Sequence, residues 1–159
     1  MKRLSWKYIA GLVDGEGCLD VQITHHRDYP GRPYIRPRVR IALAAPSKFL
    51  LDILRANHGG NVWEAKRSRK NPVWQNAYYW ALHGKQARPF LQNIVNHLEI
   101  KKEQAKLLLW MIDNVIGKHV AQELREHLLD ELKAMKRDPQ RLSEAAVRKA
   151  QALLTDAIV

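Results

Sequence analysis

Apolar and polar positions alternate in some stretches of this chain and recur at helical spacing in others. Residues 18–26, CLDVQITHH, place Leu19, Val21 and Ile23 on one face and Asp20, Gln22, Thr24 and His26 on the other. That two-residue period predicts a half-buried strand. Residues 36–44, RPRVRIALA, repeat it, with Val39, Ile41 and Leu43 inward and Arg36, Arg38 and Arg40 outward. Between them RDYPGRPYIRP carries three prolines and a glycine and reads as an extended loop, so the two strands form a hairpin with a long tip. A second hairpin is expected from NVWEAK and VWQNAYYWALH, joined by the basic run RSRKNP. Helical spacing predicts a first helix over 3–14 and a second opened by Pro46 and closed by Gly59-Gly60. Further helices are expected near 85–97, 101–116, 119–136 and 143–157. No internal repeat or long linker divides the chain, so one domain is expected, with a core over about 1–116 and a helical extension over about 117–159.

Composition narrows the function. With 159 residues and 46% hydrophobic content, the chain can bury a sizeable core. No apolar run is long enough to span a bilayer, so no membrane partner is expected. The single cysteine, Cys18, excludes an intramolecular disulfide and a CxxC zinc site, and fits a reducing, intracellular compartment. The net charge of +11 is unevenly spread: residues 20–83 hold eleven Lys/Arg against four Asp/Glu, residues 84–159 thirteen against ten. Basic residues alternating with apolar ones on strands point to nucleic acid. His25 and His26 face opposite ways on a strand, which excludes them as a metal pair. Trp63, Trp74, Tyr78 and Trp80 are expected to pack core and hairpin.

The segment from Tyr8 to Leu19, YIAGLVDGEGCL, does not suit an ordinary core helix. It carries three glycines, each costing about 1 kcal/mol against alanine inside a helix. Asp14 and Glu16 sit near the negative helix end, where carboxylates are disfavoured. Gly11 and Gly15, four residues apart and beside Ala10, share one face, and small residues at that spacing let two helix backbones approach closely. A copy of the same helix across a two-fold axis would bring the acids of two chains together. Clustered carboxylates raise one another's pKa unless a cation compensates them, and oxygen ligands suit Mg²⁺.

IAGLVDGEG, Ile9 to Gly17, resembles the nine-residue signature of the LAGLIDADG homing endonucleases. The order of elements resembles that family's α-β-β-α-β-β-α core, an α+β fold with an antiparallel DNA-binding saddle, here with additional C-terminal helices. LEIKKEQAKLLLWMI, Leu98 to Ile112, is similar to the family's helix that opens on a Lys-rich turn. A single copy of the signature implies a homodimer with Ala10, Gly11, Leu12 and Gly15 at the interface. The resemblance implies a site-specific double-strand DNA endonuclease of the intron or intein homing type. It would cleave a long pseudo-palindromic target with Mg²⁺, and Mn²⁺ or Ca²⁺ could occupy the same site. Glu16 matches the catalytic acid and would be a metal ligand with the carbonyl of Gly15. Lys101 matches the active-site lysine, with Lys102 its rival by one position. Asp14 matches the signature's structural acid. Where the family often has a solvent-ordering Gln near the end of the second strand, this chain has Leu43 to Ala45, leaving Ser47 or Lys48 as substitutes.

A twisted two-stranded ribbon fits the major groove. Gln22, Thr24, His26, Arg36, Arg38 and Arg40 of the first hairpin, with Lys66, Arg67, Arg69, Lys70, Gln75 and Tyr79 of the second, are the expected DNA contacts. Those at the tip would hold phosphates. Two alternatives remain on the same fold: an intron maturase that binds RNA, and a DNA-binding regulator without catalysis.

Overall fold

A computed structural model of the chain describes residues 2–65 and 76–156. Helix α1 (Trp6–Glu16) starts later than the apolar pattern suggests because Ser5 caps it, its side chain accepting from the Tyr8 N–H at 3.2 Å. It also runs further, through Gly15 to Glu16, and passes into strand β1 (Gly17–His26) with no intervening loop. Strand β2 (Tyr29–Ala44) follows after two residues. The proline-rich segment is therefore strand rather than loop. It pairs with β1 as far as His26–Tyr29, with an irregularity between Thr24 and His26. Residues 29–37 have β1 on one side and no described strand on the other, so a missing proline N–H there need not interrupt a second ladder.

Helix α2 (Lys48–His58) leads to β3 (Asn61–Glu64) and β4 (Ala77–His83). The sheet is antiparallel throughout, in the order β1-β2-β4-β3. Helices α3 (Ala87–Ile94), α4 (Lys102–Asn114), α5 (Gln122–Arg137) and α6 (Ser143–Asp156) complete the described chain. The segment expected as one helix near 85–97 is α3 flanked by short 3₁₀ turns.

All helices contribute to one core. Leu19, Val39, Ile41, Trp80 and Leu82 from one face of the sheet are buried with Ile9, Val13, Leu51, Leu54, Leu91 and Leu108. Leu124, Leu128, Leu132, Met135 and Ala150 of α5 and α6 join the same cluster. A sheet covered on one face needs polar side chains on the other, and the alternation supplies them. No described helix is long and apolar enough to cross a membrane.

Candidate functional site

The end of α1 is held by α4. The carboxylate of Asp14 accepts the N–H groups of Glu99 (2.7 Å) and Lys101 (2.9 Å), in the turn that opens α4. The ammonium of Lys101 reaches back to the carbonyls of Val13 (2.9 Å) and Asp14 (2.5 Å). A cation on the last carbonyls of a helix offsets its negative end. Asp14 is thus satisfied by backbone donors, and its role is structural. Lys102 makes none of these bonds. Burial lowers the pKa of Lys101, and Lys136 lowers it further, while Asp14, Cys18 and Glu16 oppose the shift.

Glu16, one turn end beyond this clasp, is exposed and has no hydrogen bond or ion pair among the described residues. Gly15 beside it is exposed too. The three glycines of the segment divide by what surrounds them. A Cβ on Gly17 would lie 2.5 Å from the carbonyl oxygen of Val13, so this chain's own helix-to-strand junction demands glycine. A Cβ on Gly11 or Gly15 would meet nothing within 4 Å. Their smallness answers no need inside the chain. Leu12 is half-buried beside them. Ala10 departs from the expected interface: it is fully buried, in this chain's own core.

The uncovered face of the sheet carries the other candidates. Register pairs Asp20 with Arg38, Gln22 with Arg36, and Thr24 with Tyr34. On the far side of β2, Arg38 pairs with His83 and Ala42 with Tyr79. Gln22, Thr24, His26, Arg36, Arg38, Arg40 and Tyr79 therefore share one face. Arg36, Thr24, His83 and Lys85 line a recess at its edge of about 530 Å³. Arg40 lies over the Tyr79 ring at 5.3 Å. The expected contacts Lys66, Arg67, Arg69, Lys70 and Gln75 lie outside the described residues, as does Trp74.

Three features of this face escaped the sequence reading. Arg38 is not a free side chain: its Nε donates to Asp20 Oδ1 at 2.8 Å and its Nη2 to Oδ2 at 2.7 Å. Burial alone would push Asp20 up, but Arg38, helped by Arg40 and Lys136, holds its carboxyl below the usual range. Alternation marked both residues as outward, but only the register brings them opposite. Second, Trp63 packs the hairpin rather than the core: 39% exposed, it stacks on Tyr79 of the paired strand at 5.6 Å between centroids. Trp80 is core and donates to the Gly59 carbonyl at 2.9 Å. Third, Lys136 from the end of α5 reaches within 3.8 Å of Cys18 Sγ, in a cleft that Lys101 also lines. Nothing in the local sequence around Lys136 signals this.

Lys48, one of the two candidates to replace the absent solvent-ordering Gln, is engaged within α2. Its ammonium is 2.8 Å from Asp52 one turn along α2 and lies over the Tyr78 ring.

No family model matches the chain. It is 28% identical over 111 residues to the DNA endonuclease I-CvuI of Chlorella vulgaris, a match that takes in 69% of this chain and 65%, just under two thirds, of that protein. The crystal structure of the homing endonuclease I-CvuI with its target in the presence of Ca superposes with a TM-score of 0.66 at 24% identity, covering 94% of both chains. The same enzyme has been crystallised on another target with Mg, the DNA uncleaved. The archaeal intron-encoded homing endonuclease I-Vdi141I complexed with DNA gives a TM-score of 0.62 at 19% identity, covering 95% of this chain and 94% of that one. The fold is that of these DNA-bound structures.

Proposed function

We propose that this chain, by fold, signature and sequence a member of the LAGLIDADG homing endonucleases, is a site-specific double-strand DNA endonuclease that acts as a homodimer. One observation carries the reading. The exposed carboxylate of Glu16 has no partner among the described residues, stands next to the lysine-held end of α1, and opens directly onto the strand whose outward face is polar and basic. A regulator without catalysis would need neither an exposed acid at Glu16 nor a lysine seated beside it at Lys101.

One chain offers little for a metal. Among its described residues no group of three His, Cys, Asp or Glu side chains could hold an ion. Glu16 and the carbonyl of Gly15 are oxygen donors suited to Mg²⁺, with Mn²⁺ or Ca²⁺ as substitutes. A second copy's Glu16 and DNA phosphates would complete the set. Bound there, the metal would supply positive charge to the attacking and leaving oxygens of phosphodiester hydrolysis. The open stripe of Gly11, Leu12 and Gly15 is where a second α1 would seat. Lys101, cationic and fixed by two carbonyls, would stabilise charge developing on the phosphate or order the water beside it. The sheet face would lie in the major groove.

Glu16→Gln tests this directly. It keeps shape and removes the charge, so target binding should persist and Mg²⁺-dependent cleavage should disappear. A variant that still cuts both strands at the wild-type rate would remove Glu16 from the metal site.

A further inference from the structure

We propose that Asp20 and Arg38 form a single base-reading unit, in which the carboxylate fixes the guanidinium to read one guanine in each half of the target. This rests on the endonuclease reading above. Asp20 contacts Arg38 side-on, through Nε and Nη2. Arginine has five N–H donors in a planar fork. The pairing occupies two, and leaves both donors of Nη1 and one of Nη2 at the opposite edge. Those end-on donors match O6 and N7 of guanine in the major groove.

The surroundings argue against an incidental surface pair. Both side chains are mostly covered, at 18% and 21% exposure, so the guanidinium is held rather than sampling rotamers. The pair sits within the row of outward residues, between Gln22–Arg36 on one side and Cys18–Arg40 on the other. Asp20 is the sole carboxylate on that face among the described strand residues. A negative charge facing phosphates lowers general DNA affinity, and a mostly covered ion pair spends much of its attraction on its own desolvation. Fixing Arg38 is the return on that arrangement. Asp20 is thus a positioning residue for specificity. It lies four residues along β1 from Glu16; at about 3.3 Å per residue, against about 3.4 Å per base step, the guanine falls within about four base pairs of the point Glu16 occupies.

The test is a selection over all single-base variants of the preferred target, reading binding and cleavage. The wild type should prefer guanine at one position per half-site by about tenfold or more. Arg38→Ala and Arg38→Lys should both lose that preference and no other; the lysine keeps the charge but not the fork. Asp20→Asn should lose most of the same preference while binding unrelated DNA more tightly, which a residue needed only for folding would not do. The double variant Asp20→Asn/Arg38→Ala should be no less selective than Arg38→Ala alone. Thermal melting of each variant checks that it folds. An unchanged guanine preference in Asp20→Asn overturns the proposal, leaving the pair a structural bridge. A wild type that selects no sequence at all instead refutes the endonuclease reading beneath it.

Discussion

Replacing Gly11 with leucine should act in opposite directions on the single chain and on the dimer. In the single chain a Cβ at Gly11 meets nothing within 4 Å, so the new side chain leaves the helix into open space. Removing a mid-helix glycine should stabilise α1 by about 0.7 kcal/mol. For a domain this size that is about 2 °C in melting temperature, read at dilutions where the protein is monomeric. In the proposed dimer the same atom would enter a contact between two backbones. Overpacking costs about 1–3 kcal/mol per site, and the two-fold axis places one leucine from each chain at the same contact, about 2–6 kcal/mol in all. The helix gain is present in both states and cancels from association. Dimerisation should therefore weaken by about 30-fold to 10⁴-fold, and cleavage should fail although Glu16 and Lys101 are intact. Sedimentation across a concentration series, with melting and cleavage measured on the same samples, reads all three effects. A Gly11→Leu protein that stays dimeric and active would place the interface elsewhere, and a wild-type monomer that cuts both strands would refute the shared site.

Gly17→Ala should behave in the opposite way, destabilising the chain by about 1–3 kcal/mol in chemical denaturation, because its Cβ would press on the Val13 carbonyl. Asp14→Ala leaves the N–H groups of Glu99 and Lys101 without their acceptor; a loss of about 1–3 kcal/mol is expected, with reduced cleavage in fully folded protein as Lys101 loses its seat. Lys101 must be cationic to stabilise phosphate charge, and its cationic form is lost as pH rises through its folded pKa. Since burial lowers that pKa, the alkaline fall in cleavage rate should begin below the range of a free lysine, and Lys101→Met should be slow and lack that limb. An unchanged alkaline limb in the methionine variant would assign it to another group.

Much of this arrangement is legible without coordinates, because it rests on period. Alternation in 18–26 and 36–44 separates Leu19, Val39 and Ile41 from Gln22, Arg36 and Arg40, and the sheet keeps that division. What fails are inferences from residue type where distant pairing decides. Prolines read as a loop over 27–37, yet β1 carries the segment as strand, since the ladder on one side alone sets its conformation. Helical spacing ends the first helix at 14, whereas α1 runs to Glu16 and its end is held from outside by Lys101, in the turn that opens α4. The signature implies a structural role for Asp14, but its partners are backbone groups far along the chain that no local pattern shows. Arg38 looked free because alternation gives the face of a residue and not its neighbour across the strands. Trp63 shares its residue type with Trp80, and only register separates the exposed ring from the buried one.

The proline-bearing half of β2 has a consequence for solubility. The DNA-reading role proposed above calls for an extended, uncovered hairpin arm, and an open strand edge is also a template on which other chains can assemble into aggregates. Over residues 29–37 this arm shows such an edge among the described residues, and prolines on an edge strand, here Pro30, Pro33 and Pro37, blunt it as a template. DNA recognition works through side chains on the face and does not need that edge. The arm can therefore stay long and open for nucleic acid while offering a poor seed for misassembly, and replacing its prolines would be expected to cost solubility at high concentration before it cost any base preference.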